Sequence, residues 1–590
     1  MVKAEPRRAP RRVDGSCYQG AMSLERTLER WSGGWRGPAF AALIAFLAGL
    51  PGLVAMPPLD RDESRFAQAT AQMLERDDFV VIRFQDDPRF KKPVGIHWMQ
   101  AVSVHTLSRP EAREIWAYRI PSLAGAMLAA AACAWGAGAL FGARAGVLAG
   151  AMLGATFLLS TEAFIAKTDA VLAGMTTLAL AALARLYAAR NGGPPTSPLT
   201  VWAFWVAVAV GILVKGPITP MVAGLAMLFL AAWDRRAGWM AGLQWWWGLI
   251  VLLAIVGPWA GAVTVATDGG FWTEAVGADL APKLAGGHET HGGPFGYHTL
   301  LAPILAFPIT LLLPAAAVAA WRHRAEPGVR FAVAWLVPTW LVFEILPTKL
   351  PHYTLPAYAP LAWLAARAIV APAGGAETVG LAARWLGAVL AGVVGFALAA
   401  GVFYLLSLYG GPSDAPMVLW AGAATAAALA AAGVVGGWLL VARAPVSALA
   451  AALVLGALGH GLLAAAVAPR LEPLWVSTRL ETALDSARLL PRQGIAEAPV
   501  EVAGYAEPSL VFALGTDTGL GGPEDAARAI AGERPAIVER REAEAFRKAL
   551  ASRGVRAVEV ARIRGINYSK GDDVDLRVYV APEVLEEVRP

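Results

Sequence analysis

The chain has little charge and almost no cysteine. Only 16% of its 590 residues are Asp, Glu, Lys or Arg, and 57% are hydrophobic, whereas about a quarter of an average soluble domain is charged. Water is therefore not the main solvent of this protein. Its two cysteines, Cys17 and Cys133, lie in the N-terminal tail and inside an apolar run, so neither a disulfide framework nor a cysteine-based metal site is supported.

The sequence also lacks the single basic face that nucleic-acid binding requires. Its net charge is +5, but the Lys and Arg residues stand in short clusters between apolar runs, where they act as topology signals. A basic N-terminal tail precedes the first apolar run at about residues 37–56. Because a cleaved signal peptide has a shorter apolar region nearer the start, we predict a retained first span and a cytoplasmic N-terminus.

Long apolar runs fill most of the chain up to residue 470. A helix needs about 17 to 25 predominantly apolar residues to cross a bilayer, and about thirteen segments read as spans. The predicted spans are about 37–56, 117–140, 145–165, 169–189, 200–214, 217–233, 243–263, 298–321, 329–347, 354–371, 383–408, 416–442 and 445–468. Every inside loop between them carries Arg, as the positive-inside rule requires. The periplasmic loops mix acids, bases, His and Tyr with Gly and Pro, which is typical of a site.

The composition changes after Arg470, where charged residues become frequent and apolar runs shrink to strand length. We therefore divide the chain into a cytoplasmic basic tail (1–36), a transmembrane domain (37–469) and a small soluble α/β domain (470–590) on the periplasmic side. The loop clusters 504–509 and 567–569 of this last domain could dock onto the membrane part or contact an acceptor. The favoured interpretation is that both clusters are ordinary turns at the ends of strands.

The first periplasmic loop, 57–116, holds two groups of charges. Three acids and two arginines stand between Asp60 and Arg65 at the mouth of a span; charges near lipid are costly and tend to mark substrate sites. The alternative is a solvated helix N-terminus, which also favours acids. Further along, Lys91 and Lys92 could anchor a phosphate as point charges or bind lipid head groups without a pocket.

Three more ionisable residues interrupt apolar segments at their predicted outer ends. Asp169 begins a long apolar run, where a lone acid indicates function, although pairing with Lys167 is an alternative. Lys215 and Lys349 each stand beside a proline-induced break, where they could meet a lipid-linked phosphate. Lysines that snorkel at helix ends are common, so neither lysine is strong evidence alone.

The periplasmic loop 264–297 contains candidate metal ligands. His288, Glu289 and His291 stand close together in a Gly-rich stretch and could bind a divalent metal ion. A mobile Gly-rich lid is an equally good interpretation.

The order and spacing of these motifs resemble those of a known superfamily of membrane glycosyltransferases. Residues 62–67 resemble the D-E-[ST]-R-[YF]-A motif in the first periplasmic loop of the bacterial aminoarabinose transferases that modify lipid A. The superfamily includes the protein O-mannosyltransferases (glycosyltransferase families 39 and 83). Its further motifs match Lys92 with Pro93, Asp169, Lys215 with Gly216, and the corner from Lys349 to Tyr353. The resemblance covers about residues 37–370.

The resemblance implies a membrane fold of the GT-C type and a polyprenyl-phosphate sugar donor. By position, it makes Asp62 the catalytic acid or base and Asp169 a second essential carboxylate. It makes Lys92 a ligand of the donor phosphate, with Arg65 and Tyr353 lining the cavity.

The chain departs from the aminoarabinose transferases immediately before the loop lysine. Those enzymes have a glutamate there that resembles a metal ligand, whereas this chain has Lys91. The departure weakens the case for a metal and leaves His288 and His291 as its remaining candidates. Arg89, in place of an aromatic residue, also favours a different donor sugar or acceptor.

Together these features predict an inverting glycosyltransferase of the cell envelope with a lipid, glycan or protein acceptor. Lys92, Lys215 and Lys349 would stabilise phosphate charge, and Asp62 would deprotonate or orient the acceptor. The alternative is a transporter or flippase of lipid-linked sugars. It is disfavoured because the sequence has no evident internal repeat and the ionisable groups concentrate in outer loops and at outer helix ends.

Overall fold

The computed structural model describes residues 31–280, 292–371, 377–410, 415–493 and 499–588. Within these ranges, nine helices are long and apolar enough to cross a membrane. They are Arg36–Ala55, Ile115–Phe141, Asp169–Arg190, Pro198–Lys215, Trp245–Ala266, Pro327–Ile345, Leu381–Tyr409, Pro416–Val441 and Pro445–Arg470. A bent pair, Tyr297–Leu305 with Ile309–Arg322, makes a tenth crossing if its two helices, at 110° to each other, form one span. The chain is a multi-pass membrane protein, as its hydropathy predicts. Most of the predicted basic tail, including Cys17, lies outside the described residues.

Shorter helices account for the other predicted spans. They are Ala143–Gly154, Phe157–Glu162, Ile218–Asp234 and Tyr358–Ile369. The predicted span 145–165 is broken because Thr156 starts a new helix: its hydroxyl accepts a hydrogen bond from the N–H of Leu159 as an N-cap. The break leaves Glu162 at the end of a short helix, beside the bundle core.

The predicted span 354–371 is also irregular at its start. A 3-10 turn, Pro351–Ala357, precedes the α-helix Tyr358–Ile369. Pro351 and Pro356 have no N–H to donate, so a regular α-helix does not extend back through them. The turn brings His352 and Tyr353 against the core instead of into a straight helix.

The helix Asp169–Arg190, here the Asp169 helix, lies at the centre of the bundle. Of its most apolar 18-residue window, 83% is buried. It packs closely on helix Ile115–Phe141 through glycines: a Cβ on Gly125 would lie 2.6 Å from the backbone of Val171. Small residues permit such close contact between membrane helices. Asp169 is therefore the first residue of a deeply enclosed span.

The first loop, residues 56–114, folds into two helices joined by a short hairpin. The helices are Asp62–Arg76, here the Asp62 helix, and Gly95–Leu107; the hairpin pairs Arg83–Phe84 with Asp87–Pro88. Asp62 and Glu63 occupy the first turn of the Asp62 helix, where the helix dipole favours acids.

Residues 476–588, here the C-terminal unit, contain a four-stranded sheet. Its strands are Glu501–Ala503, Ala536–Glu539, Val558–Asn567 and Asp572–Val580. In spatial order the first strand pairs with the second in parallel, and the fourth lies antiparallel between the second and the third. The helices of the unit are Val476–Ser486, Pro508–Leu514, Pro523–Ala531, Ala543–Arg553 and Pro582–Val588.

The C-terminal unit docks on the first loop through the two clusters 504–509 and 567–569. The hydroxyl of Ser509 donates to the carboxylate of Asp60, and the backbone N–H of Asp60 donates to the Tyr568 hydroxyl at 2.6 Å. The favoured interpretation of these clusters as ordinary turns alone is therefore wrong. Hydropathy gave no signal for this docking, because polar side chains make the contacts.

Candidate active site

An ion pair between two distant residues forms the centre of the site. The Nζ of Lys215 lies 2.5 Å from Oδ1 of Asp169. The two meet because Lys215 ends the helix Pro198–Lys215 beside the start of the Asp169 helix, and Gly216, at φ +62°, turns the chain there. Lys215 also lies 5.5 Å from the ring centroid of Tyr353, within cation–π range. Three residues predicted from sequence are thus brought together.

A second set of charges surrounds the same carboxylate. Lys167 Nζ lies 3.1 Å from Glu162 Oε2 and 3.6 Å from Asp169 Oδ2. The Lys167–Asp169 pairing considered from the sequence therefore exists, but Lys215 is the closer partner of Asp169. Glu162 and His352 were not assigned to the site from the sequence. A lone acid inside the apolar run 145–165 was the available signal for Glu162.

His352 links the two carboxylates. Its Nδ1 is 3.7 Å from Glu162 Oε1 and 3.4 Å from Lys167 Nζ, and its Nε2 is 3.7 Å from Asp169 Oδ1. A neutral ring that accepts from an ammonium at Nδ1 carries its proton on Nε2, facing Asp169.

A cavity of about 290 Å³ opens beside this cluster. Its polar lining residues are Lys92, Asp169, Lys215, Thr348, His352 and Tyr353. Its apolar lining residues are Leu172, Pro217, Ile218, Met221, Val342, Phe343, Leu346, Leu355 and Pro356. The cavity thus joins cations to an extended apolar wall, which suits an anionic head group on a hydrocarbon chain. Lys92, from the first loop, is the member most distant in sequence from the corner around Tyr353.

Asp62 is the first residue of its helix, and its side chain is exposed. Asp62 adds to the negative charge around Lys167. Burial lowers the pKa of Lys167, but the carboxylates of Glu162 and Asp169, with a smaller contribution from Asp62, raise that pKa overall. Arg65 follows Asp62 at i+3 and therefore lies on the same side of the helix; it is half-buried. Neither Asp62 nor Arg65 is among the residues that line the cavity, so the prediction that Arg65 lines it is wrong.

The neighbouring acid, Glu63, has a different environment. Its carboxylate accepts two hydrogen bonds of 2.8 Å from Arg119, and both side chains are fully buried. Glu63 also accepts from the N–H of Ala166 at 2.7 Å, which fixes the first loop to the segment that carries Lys167 and Asp169. Glu63 and Asp62 are adjacent acids that the sequence alone does not distinguish. In the structure Glu63 is buried and Asp62 is exposed, so their environments differ.

Lys349 and the candidate metal ligands do not join the described cavity. Lys349 Nζ donates to the carbonyl of Leu346 at 2.6 Å, and Lys349 is absent from the cavity lining. His288, Glu289 and His291 lie outside the described residues. Among the residues the structure describes, no group of three or more His, Cys, Asp or Glu is arranged to hold a metal ion.

We expect the Glu63–Arg119 pair to be essential for stability. Replacing Arg119 with Met should destabilise the protein by about 3 to 5 kcal/mol, because it leaves a buried carboxylate without its partner. Thermal unfolding in detergent measures the loss. The matched control is Arg76→Met, since Arg76 pairs with a fully exposed Asp86 and such pairs contribute about 0 to 1 kcal/mol. Equal melting temperatures for the two variants would contradict this role.

Solved structures identify the class of fold. The chain superposes with a TM-score of 0.68 on the crystal structure of ArnT from Cupriavidus metallidurans bound to undecaprenyl phosphate. The sequences are 20% identical, and the match covers 91% of this chain and 97% of that one. The fold is therefore the GT-C fold that the sequence motifs predicted.

Related sequences show which enzymes the chain is similar to. The chain is 30% identical over 366 residues to the undecaprenyl phosphate-alpha-4-amino-4-deoxy-L-arabinose arabinosyl transferase of Pseudomonas paraeruginosa, covering 61% of this chain and 64% of that one. It is also 30% identical over 309 residues to the enzyme of the same name from Erwinia tasmaniensis, covering 52% and 54%. The chain thus spans less than two thirds of the length of these relatives. No family model matches. The predicted resemblance to the aminoarabinose transferases is confirmed.

Proposed function

We propose that this chain is a glycosyltransferase that moves a sugar from a polyprenyl-phosphate carrier to a lipid, glycan or protein acceptor. The observation that carries the proposal is the cavity in which Lys92 and Lys215 face an apolar wall beside Asp169. Cations bind the phosphate as point charges, and the apolar wall accommodates the first units of a prenyl chain. The relatives' name, with its undecaprenyl phosphate-linked sugar, agrees with such a donor.

We assign the roles by position in the site. Lys215 and Lys92 hold the donor phosphate, and Asp169, with His352 beside it, holds Lys215 in place. Tyr353 packs on the Lys215 ammonium, and Arg65 supports the acceptor side near Asp62. Lys349, bonded to the Leu346 carbonyl, supports the corner rather than the phosphate. This last assignment replaces the phosphate role predicted from sequence.

The reaction we propose is a single displacement. The acceptor oxygen or nitrogen attacks the anomeric carbon while the bond from that carbon to the phosphate oxygen breaks, so the configuration inverts. The electron pair leaves on the polyprenyl phosphate, where Lys92 and Lys215 stabilise the charge. The acceptor proton passes to the carboxylate of Asp62.

We further propose thirteen membrane crossings in an inner membrane, with a cytoplasmic N-terminus. The nine long helices and the bent pair supply ten crossings. The broken segments 143–162 and 351–369 and the short helix Ile218–Asp234 supply three more. With an odd number of crossings and a cytoplasmic N-terminus, the C-terminal unit would lie in the periplasm, on the side of the cavity. The arginine pattern of the inside loops supports this orientation.

A transfer assay in detergent tests the function. Purified protein is incubated with undecaprenyl phosphate-linked aminoarabinose, or other undecaprenyl phosphate sugars, and with lipid A, glycan and peptide acceptors. We expect a glycosylated acceptor and free undecaprenyl phosphate by mass spectrometry. A transporter needs two compartments, so the absence of product with every pair, together with movement of the donor across reconstituted vesicles, would favour that alternative. Envelope lipids and glycoproteins of a deletion strain would show which sugar is lost.

A further inference from the structure

The segment immediately before Asp62 is held by the C-terminal unit. The Asp60 N–H donates to the Tyr568 hydroxyl at 2.6 Å, and the Asp60 carboxylate accepts from Ser509. Arg61 Nη2 donates to the carbonyl of Ser569 at 2.7 Å. Two consecutive residues thus make three contacts with loops more than 400 residues further along the chain.

The backbone at Arg61 is unfavourable for a residue with a side chain. Its φ of 63° and ψ of −105° lie outside the regions that L-residues ordinarily occupy. Such conformations cost about 1 to 3 kcal/mol and persist only where surrounding contacts impose them. Because Asp62 follows directly as the first helical residue, the turn at Arg61 sets the direction in which the Asp62 side chain leaves the loop.

The docked surface is extensive enough to act as a fixed support. Arg113, from the first loop, is buried and donates to the carbonyl of Phe512 at 3.1 Å and to Thr516 Oγ1 at 2.9 Å. The ring of Phe512 packs edge-on against Tyr118 at 5.3 Å, with both side chains buried. The helix Pro508–Leu514, which contains Ser509, is therefore held by both the first loop and the membrane helix Ile115–Phe141.

The environment of Asp60 agrees with a closed interface. Burial raises the pKa of Asp60 to about 6, and the hydrogen bond from Ser509 opposes the rise. The carboxyl group is thus enclosed by the docked unit and satisfied there by a hydroxyl.

We propose that the C-terminal unit is a positioning element for Asp62, acting through Ser509, Tyr568 and the carbonyl of Ser569. On the other side of Asp62, the Glu63–Arg119 pair anchors the helix to the membrane bundle. The position of Asp62 is therefore set on one side by the C-terminal unit and on the other by the membrane bundle. The effect of this support on catalysis rests on the proposed function, whereas its effect on the position of Asp62 does not. Ser509 and Tyr568 are positioning residues; they do not contact the cavity lining.

Two variants remove the support without touching the site. Tyr568→Phe removes the acceptor of the Asp60 N–H, and Ser509→Ala removes the donor to its carboxylate. For the double variant we expect a fall of about tenfold or more in kcat, because small displacements of a reacting group are costly. The KM for the donor should stay within about twofold, since the phosphate ligands are unchanged.

The matched controls lie in the same unit. Ser477→Ala removes the 2.6 Å partner of Ser509 but keeps the contact with Asp60, and Tyr579→Phe alters a tyrosine that packs on Phe546 within the unit. Both should retain the wild-type kcat. A double variant with the kcat of the wild type, or one that loses donor affinity and melting temperature as much as kcat, would overturn the positioning role.

Hydrogen exchange provides a readout that does not depend on activity. Amides of residues 59–66 should exchange faster in the double variant than in the wild type and the controls. Unchanged exchange there would refute the support by the C-terminal unit even if activity fell. If the wild type transfers no sugar, the proposed function fails. Faster exchange in the double variant would still establish that the C-terminal unit holds the segment before Asp62 in place.

Discussion

Replacing Asp62 with Asn should lower kcat for sugar transfer by about 10² to 10⁴, the usual contribution of a general base. Asn has almost the same shape as Asp but does not accept the acceptor proton. The side chain is exposed at the first residue of its helix, so the fold should tolerate the change. The fall should appear in kcat, with the affinity for undecaprenyl phosphate nearly unchanged, because the phosphate ligands lie elsewhere.

Single-turnover transfer by purified protein measures this effect, with melting temperature as a check on folding. The matched control is Asp86→Asn, in the hairpin of the same loop, where the side chain is fully exposed; it should transfer sugar at the wild-type rate. Wild-type transfer by Asp62→Asn would remove Asp62 from the mechanism.

Replacing Lys215 with Met should weaken binding of undecaprenyl phosphate by about 2 to 5 kcal/mol, or roughly 30- to 4,000-fold. The change removes a cation from the cavity and leaves Asp169, a deeply buried acid, without its 2.5 Å partner. The remaining carboxylate then repels the phosphate. Lys91→Met, at an exposed lysine beside Lys92, is the control and should bind as the wild type does.

A double-mutant cycle separates these two causes. If repulsion by the unpaired carboxylate is part of the loss, adding Asp169→Asn to Lys215→Met should recover some of the binding. Losses that simply add would mean that Asp169 and Lys215 act independently. Unchanged binding in Lys215→Met itself would show that the donor phosphate lies elsewhere.

The hydropathy of the sequence predicted where most spans lie, because each long apolar run becomes a buried or lipid-facing helix. It did not predict where spans break. Thr156 interrupts a run that is continuous in hydropathy, and this break leaves Glu162 in the candidate site. The proline break beside Lys349 was predicted, but not that the turn Pro351–Ala357 places His352 in the candidate site. Local capping and proline geometry decide these points, and an average over a window of residues does not detect them.

The motif pattern predicted the centre of the site but not its supports. Asp169, Lys215 and Tyr353 meet as expected. Glu63 and Asp62 are adjacent acids in the sequence, yet successive helical residues point about 100° apart. The positions of Arg119 and of the Ala166 N–H determine which one is buried. Lys349 matched a motif, but its ammonium faces a backbone carbonyl. Such distinctions depend on tertiary contacts and have no sequence signal of their own.

The central claim is that the cavity beside Asp169 and Lys215 holds the phosphate of a polyprenyl carrier. Photocross-linking tests it most directly, with an undecaprenyl phosphate analogue that carries a diazirine in the first prenyl unit. We predict cross-links, mapped by mass spectrometry, to the apolar wall at residues 217–221 and 342–346, competed by undecaprenyl phosphate and lost in Lys215→Met. Competed cross-links confined to helices outside this cavity would contradict the account.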